Sequence, residues 1–593
     1  MANPLLSDRD VAFQLYEVHG ALELCSLPWF ADHGRETFDP FLASARKLAR
    51  EVLFPAYRPM DQEPPKLVDG RVRVHPAMRE IWPRLVELGL TCPTRPAEVG
   101  GQQMPAMVAE MGAGYLMAAN VAAMGYVGLT AGAGHLIEEF GSEWLRETFL
   151  PRMYGGAWSG TMALTEPQAG SSLADVRSRA RPTPDGHYLL DGNKVFISGG
   201  DQDFTENVVH LALARIEGAP AGVKGISLFA VPRLRPGPDG GGLVDNDCHS
   251  AGVFHKLGWR GLPSIALNFG ERGDCRAWLV GTPHQGLAHM FQMMNSARLM
   301  VGMNGVMTAY VAYQEALEYA RTRTQGRPLS SRDPRSPPVP IVQHADVRRM
   351  LLRQKAIVEG AFSLLAACGR LSDLADHAES EADRSRSSQL LDLLTPVAKT
   401  FPAEKGFEAN VLAVQVHGGY GYTSEYLPEA WMRDQKLNSL HEGTSGIQAL
   451  DLLGRKVLGT GGASLRGLAE QVMADCERPG VDPEQSAQLL RALATIGETT
   501  AHLGSLGDRD AMMRNSSDYM ELFSIAVIAW QWLLQSAAAR EGLRRDPASS
   551  DFYQGKLAAA RYWFATELPR IDQLCALCRS PDDSYASMRP EWF

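Results

Sequence analysis

The feature that most constrains this chain is a change of hydrophobic period that happens twice. Helical spacing governs the first quarter, strand-like alternation governs residues 159–280, and helical spacing returns from Gln285 and holds to the last residue. An α–β–α order of this kind inserts a β domain between helical layers. It does not suit a dinucleotide-binding βαβ fold, and no G-x-G-x-x-G follows a strand at the start of a helix. The expected class is α+β. It comprises a leader (1–35), an N-terminal helical domain (36–158), a central β-barrel-like domain (159–280), a C-terminal four-helix bundle (281–460) and an additional helical domain (461–593).

Local signals fill in this order. Asp39 as a cap, Pro40 in a first turn, and the stripe Phe41, Ala45, Leu48, Ala49 and Val52 predict a helix from Asp39. Pro64-Pro65 and Asp69-Gly70 punctuate a loop, and helices are expected around 76–88, 104–119, 121–139 and 142–152. Short strands are expected at 178–181, 187–190 and 194–198, with Pro184-Asp185-Gly186 and Asp191-Gly192 as tight turns between them. Apolar strands follow at 208–215 and 226–231, and after a Gly/Pro-rich insert at 234–243 another at 265–269. One long helix is expected from Gly286 to Arg323, then a loop at 324–340 with five prolines, then helices at 342–372, 386–416 and 446–458. The run GTGGAS, 459–464, reads as a linker.

Composition narrows the function. With 593 residues the core is large enough to need no disulfide staples, and a formal net charge of −10 argues against general attraction to nucleic acid. An anionic substrate would need a local basic patch. The eight cysteines are scattered apart from Cys575-Ala-Leu-Cys578, and no second pair or nearby histidines complete a zinc site, so free thiols in a reducing, cytoplasmic setting are expected and no metal. The opening MANPLLSDRD has no basic region followed by an apolar core, which speaks against a signal peptide. The uncharged stretch Leu522–Ala539 contains Ser524, Gln531, Gln535 and Ser536, polar groups that suit a buried helix better than lipid.

Five stretches carry chemistry. In HEGTSGIQ (441–448), Ser445 and Gln448 have capping-box spacing ahead of an apolar run, which predicts a helix starting near Gly446. Glu442 then sits on the loop feeding its N-terminus. A general base whose product is an oxyanion suits that place, and so does a carboxylate that merely favours the helix dipole. MALTEPQAGSS (162–172) offers hydroxyls and loop N–H groups after a strand, to a ligand or to solvent. KVFISGG (194–200) sets Phe196 beside Ser198, an aromatic and a hydroxyl that suit a planar ring or a core. SARLMVGMNG and YARTRTQGRPL place Arg298 inside an apolar helix and Arg321 and Arg323 at a helix end, where they meet terminal carbonyls or phosphates. In QVHGGYGYTSEY (415–426), Gly418, Gly419 and Gly421 permit close approach of a ligand or form a helix cap.

Together and in this order, these stretches resemble the acyl-CoA dehydrogenase family over about residues 38–458. The glycine-rich stretch running into MRDQKLNSLHEGTSGIQ is the most specific part. The leader, the insert and the C-terminal unit resemble the longer subgroup that includes bacterial broad-range enzymes and 3-methylmercaptopropionyl-CoA dehydrogenase. The resemblance implies an FAD-dependent oxidoreductase of fatty acid β-oxidation. In it Glu442 removes the α-proton of an acyl-CoA, the β-hydrogen leaves as hydride to the flavin, trans-2-enoyl-CoA results, and electrons pass to electron-transferring flavoprotein. The Glu442 N–H would polarise the thioester carbonyl.

The same resemblance assigns further roles. Thr165 and Ser198 contact the isoalloxazine and Phe196 packs on it. Met162, Leu164 and Ser171 line the flavin or substrate throat, and Thr444 follows on the flavin side of the base. Arg323, Gln325, His344, Gln415, Gly418 and Gly419 hold the pyrophosphate and adenosine across a subunit boundary of a homodimer or higher oligomer. Arg298 lies near the CoA nucleotide, and His441 and Gly443 flank the substrate. His441 stands where many members have Tyr, Phe196 where many have Trp and Ser198 where many have Thr. The family's R-x-x-F-G reads here as Arg323-Thr324-Gln325-Gly326, one residue short. Some relatives carry the base just before the position of Arg298, which is Ala297 here, so Glu442 has no rival. An oxygen-using oxidase and a flavin-carrying, DNA-associated alkylation-response relative are the alternatives; no basic C-terminal patch supports the latter. Residues 461–593 are open to dimer contact, peripheral membrane docking or stabilisation.

Overall fold

The computed structural model describes residues 3–237, 242–330, 333 and 335–593. The first two residues of the leader, and parts of the insert at 234–243 and the loop at 324–340, lie outside them. The chain divides into two compact units, Trp29–Met300 and Met1–Pro28 with Val301–Phe593.

In the first of these units, helices precede and flank a sheet. The helix Arg35–Leu48 begins earlier than its sequence suggests. Gly34 is its N-cap, with the Gly34 N–H donating to Thr37 Oγ1 at 3.1 Å. Asp39 instead pairs with Arg35 one turn back at 3.1 Å. Asp69 and Gly70, at φ +52° and +73°, turn a small hairpin of β1 (Lys66–Val68) and β2 (Arg71–Arg73) where a bare loop was expected. Helix Ala106–Phe140 is interrupted at Asn120, whose φ of −160° and ψ of 88° are non-helical, so the two expected helices join through a kink.

The main sheet is formed by β3 (Trp158–Ala163), β4 (Arg179–Pro182), β5 (Tyr188–Ser198), β6 (Asn207–Ile216), β7 (Ile226–Pro232), β10 (Cys248–Val253), β11 (Ser264–Phe269) and β12 (Arg276–Val280), while β8 (Leu234–Pro236) and β9 (Leu243–Asp245) pair with each other in a separate two-stranded sheet. The order of the main sheet is β10-β11-β5-β12-β7-β6-β3, and β4 bridges β5 to β6. The strands β5, β12, β7, β6 and β4 therefore close a ring, which is the barrel-like domain expected. Along β6 the two faces bury different partners. Val209, Leu211 and Leu213 join Leu136, Ile137, Phe149 and Trp158, whereas Ala212 and Ala214 join Ile265, Leu267 and Phe229 inside the ring. Each fully buried leucine here contributes about 1.5–3 kcal/mol.

The Asp191-Gly192 turn is not formed. β5 runs straight through it, pairing first with β4 and β12 and then, from Gly192 onward, with β11. Gly192, at φ +154°, is needed because a β-carbon there would lie 2.3 Å from Ser178 Oγ.

The second unit is helical. Gly302 and Gly305 let the chain up to Thr322 cross the helix Glu381–His417 at contact distance from Ala398 and Pro402. Helix Ala345–His377 packs on Ser516–Arg545, whose expected buried stretch is 94% inside the unit, and Trp532 Nε1 donates to the Ala356 carbonyl at 3.0 Å. The GTGGAS run is a tight reversal rather than a linker: Gly461 and Gly462 take φ of +59° and +78°, and the helix Ala463–Cys476 starts at once. The leader packs into this unit. Buried Asp10 pairs with buried Lys556, accepts from Tyr310 at 2.9 Å, and Gln14 donates to Gln535 at 2.9 Å. Cys575 and Cys578 are buried thiols, pushed up from the ordinary thiol range chiefly by burial.

Candidate functional site

In the helical unit, residues 440–444 form a bent loop between the turn Lys436–Ser439 and the helix Ser445–Leu450. The cap is Thr444, one residue before the expected Ser445: its Oγ1 accepts from the Ile447 N–H at 3.3 Å. Gln448 does not complete a capping box. Its Nε2 reaches back to the Glu442 carbonyl at 3.2 Å, while Lys399 Nζ donates to the Gly443 carbonyl at 2.8 Å. Between these anchors Glu442 and Gly443 both adopt left-handed backbone, at φ +53° and +85°. A glutamate in that region is disfavoured by its β-carbon, and such residues persist where surrounding contacts over-determine them, often at functional sites. Glu442 and His441 are half-buried.

The β unit holds the second constellation. The loop after β3 carries Leu164, Thr165 and Ser171, with Met162 half-buried on the strand itself and Ser171 exposed. Its anchor is Glu166, which accepts from Ser178 Oγ at 2.6 Å, the Arg177 N–H at 2.7 Å and Lys194 Nζ at 2.8 Å. Burial alone would raise the Glu166 carboxyl, but the charge and hydrogen bond of Lys194 and the Ser178 and Arg177 donors outweigh it and hold the group at about 2. Lys194, fully buried, also donates to the carbonyls of Leu164 at 3.1 Å and Leu213 at 2.7 Å. So Glu166 is structural, and its work is to shape this loop.

The Thr165 carbonyl accepts from the Val195 N–H at 3.0 Å, which brings the loop beside the end of β5. There the pairing with β11 skips: Lys194 faces Leu267, Ile197 faces Ile265, and Phe196 lies in the bulge between them. Phe196 has φ +60° and its ring is 62% exposed, 4.7 Å from the ring of Phe254. A large aromatic held outward by a left-handed backbone offers a face to a planar ligand. Ser198, two residues on, is half-buried and pairs with Ser264. Arg298 is buried in the long helix.

A third feature, again in the helical unit, is a cavity of about 510 Å³ lined by Tyr319, Arg323, Gln325, His417, Gly418 and Gly419 among others. Tyr319 and His417 stack with ring centroids 4.3 Å apart. Burial lowers the His417 imidazole against a smaller opposing effect of its bond to the Ala413 carbonyl, and its Nε2 is buried with no hydrogen-bond partner among the described residues. Arg323 and Gln325 are held where the 324–340 loop closes: the Ile341 N–H donates to the Arg323 carbonyl at 2.8 Å and the Gln325 N–H to the Val339 carbonyl at 3.0 Å. Gly418 caps the helix Glu381–His417 at φ +60°, and a β-carbon on Gly421 would meet the Val414 carbonyl at 2.2 Å. The helix-cap reading of these glycines therefore holds, and Gly418 and Gly419 line the cavity as well.

A 3-methylmercaptopropionyl-CoA dehydrogenase from Ruegeria pomeroyi is 37% identical over 563 residues, covering 93% of this chain and 94% of the relative. The chain belongs to the acyl-CoA dehydrogenase family. Family models match in sequence: the acyl-CoA dehydrogenase N-terminal domain at residues 36–157, the middle domain at 161–270, the C-terminal domain at 284–458, and an acetyl-CoA dehydrogenase C-terminal-like model at 468–589. A broad-specificity linear acyl-CoA dehydrogenase from Mycobacterium tuberculosis is 31% identical over 595 residues, covering 95% of each chain. In fold, the chain is similar to an acyl-CoA dehydrogenase from Bacillus anthracis solved in complex with FAD, with a TM-score of 0.72 and 20% identity over 96% of this chain and 91% of that one. The chain is thus an oxidoreductase of a family that uses FAD.

Within this acyl-CoA dehydrogenase, the residues assigned to the pyrophosphate and adenosine are only partly brought together. Arg323, Gln325, Gly418 and Gly419 line the cavity, whereas His344 and Gln415 are not among its lining residues. His344 Nε2 pairs instead with the Gln325 carbonyl at 2.7 Å, so it supports the lining from behind, and Gln415 is exposed on the preceding helix. Thr444 acts as the helix cap. Sequence reasoning missed Tyr319, Tyr420 and Thr423 as lining residues, although all three stand in the stretches it singled out, while His417 falls within the Gln415–Gly419 loop it assigned. It also missed Lys399 and Lys194, single lysines within apolar patterns.

Proposed function

We propose that this chain uses FAD to introduce a double bond between the α- and β-carbons of an acyl-CoA thioester, with Glu442 as the general base. The observation that carries the reading is the Glu442–Gly443 turn, a left-handed glutamate whose own carbonyl and that of Gly443 are tied to fully buried donors. A backbone fixed in this way sets the point from which the carboxylate leaves the chain, and a fixed base is what abstraction of a weakly acidic α-proton requires. The Glu442 N–H is the donor assigned to the thioester carbonyl, where stabilising the developing enolate is worth several kcal/mol.

FAD supplies the two-electron acceptor for the β-hydrogen. The residues present fit it: the 510 Å³ cavity combines the Arg323 guanidinium for a pyrophosphate, stacked Tyr319 and His417 rings for a base, and the His417 Nε2, unpartnered among the described residues, for a polar ligand atom. In the β unit, Phe196 offers a ring face, with Thr165 and Ser198 as hydroxyl donors. Electrons then leave to electron-transferring flavoprotein, and the enzyme works as a homodimer or higher oligomer in the cytoplasm.

The test is anaerobic reduction of the purified flavoprotein by a panel of acyl-CoAs that includes linear chains and 3-methylmercaptopropionyl-CoA, repeated in air. Wild type is reduced by at least one thioester. Glu442→Gln keeps FAD and binds the same thioester but loses at least about 10²-fold in reduction rate. Reduction of that variant at an undiminished rate removes Glu442 from the mechanism, and rapid reoxidation in air turns the reading to an oxidase.

A further inference from the structure

Lys399 lies on the helix Glu381–His417 with a side chain that is 0% exposed, between buried Ala398 and Phe401. A charge there is costly to desolvate, and for packing alone a methionine would fill the same space without one. What the lysine gains in this place is reach: its Nζ donates to the Gly443 carbonyl at 2.8 Å. From the other side the fully buried Gln448 donates to the Glu442 carbonyl at 3.2 Å. Two successive peptides are thus pinned at their oxygens, and these are the peptides that follow the two left-handed residues. Release of either oxygen lets its peptide rotate and lets Glu442 return to the right-handed backbone that a residue with a β-carbon prefers. Gly443 cannot simply be stiffened to compensate, since a β-carbon on it would come within 2.7 Å of Gln448 Nε2.

We infer that Lys399 is a positioning residue for the dehydrogenation. By holding the Gly443 carbonyl, it keeps the left-handed turn that aims the Glu442 carboxylate at the substrate's α-carbon. The inference rests on the dehydrogenase reading given above.

The experiment is single-turnover flavin reduction in the FAD-loaded full chain. Its substrate is the acyl-CoA that reduces wild type fastest, compared with the same compound deuterated at the α-carbon or at the β-carbon. Lys399→Met keeps the stem and removes the donor; Lys399→Gln keeps an N–H donor on a shorter arm. Both variants are expected to retain FAD and to bind the thioester within about twofold of wild type. Saturating reduction rates should fall by about 10- to 100-fold in the Met variant, the scale of a misplaced catalytic group, and by less in the Gln variant. The α-deuterium isotope effect should rise and the β-deuterium effect fall, because proton removal alone has become slower. A merely structural lysine would lower FAD retention or thermal stability and leave the balance of the two isotope effects unchanged. Undiminished reduction by Lys399→Met, or an unchanged balance, overturns the inference. Loss of fold or of FAD in both variants overturns it too, since the lysine is then a stability element. A wild type reduced by no acyl-CoA sinks the dehydrogenase reading and this inference with it, whereas a normal wild type beside an undiminished variant sinks the lysine's role alone.

Discussion

Lys194→Met tests the anchoring of the loop after β3. The substitution removes three donations at once, to the Leu164 carbonyl, the Leu213 carbonyl and Glu166 Oε1. It leaves Glu166, only 4% exposed, without its ion-pair partner. Breaking a buried pair from one side costs about 3–5 kcal/mol. Glu166 keeps Ser178 Oγ and the Arg177 N–H, so about 3 kcal/mol, the lower end, is expected. Hydrogen exchange read on peptides spanning 161–181 and 190–215 of the intact chain reports this as a lower local opening energy. The double variant Glu166→Gln/Lys194→Met should recover part of the loss, because no uncompensated charge remains. FAD should dissociate faster from the single variant, since Leu164 and Thr165 ride on the same loop. A cost below about 1 kcal/mol, or a double variant no better than the single one, refutes the reasoning. The pH dependence has a fixed sign. A carboxyl held at about 2 in the fold, against 4.5 for the ordinary group, contributes its full stability above 4.5 and loses it as pH falls through 2. Loop protection in wild type should therefore hold down to about pH 4.5 and decay below it.

Two further outcomes are expected. Arg323→Ala removes the guanidinium from the 510 Å³ cavity, and FAD occupancy after dilution and gel filtration should drop; full occupancy would take Arg323 out of cofactor binding. Lys556→Met removes the cation from buried Asp10 and one of two from Glu359, which keeps Lys355, at a cost of about 3–5 kcal/mol. Protection should be lost first in residues 8–18, and unchanged exchange there would mean the leader is held by its apolar contacts instead.

Much of the architecture was legible because periodicity is a local property. The return of helical spacing at Gln285 and the buried stretch at 522–539 follow from which residues are apolar at which spacing. In each misreading, a residue of the right type lost its expected role to another partner. Asp191-Gly192 has the composition of a turn, yet β5 continues through it because β4 and β11 pair with its two halves, a fact recorded far away in the chain. Asp39 is a good cap by type, but Thr37 Oγ1 already accepts from the Gly34 N–H and the helix starts there. At the base, Ser445 and Gln448 have capping-box spacing, but Thr444 takes the cap and Gln448 is drawn to the Glu442 carbonyl. The position of Glu442 on the loop feeding a helix was legible through its neighbours in HEGTSGIQ. Its braces were not, because nothing local marks Lys399 as a lysine whose ammonium will meet a carbonyl 44 residues later.

The pairing of Asp10 with Lys556 spans 546 residues. At about 5–20 residues per second of synthesis, roughly 30–110 seconds pass between the emergence of the acid and that of its base. Before that interval ends the residues from Trp29 to Met300 can close their own sheet and helices, while Asp10 meets Tyr310 but has no base yet. A chain interrupted before Lys556 therefore leaves a buried acid without the base that neutralises it.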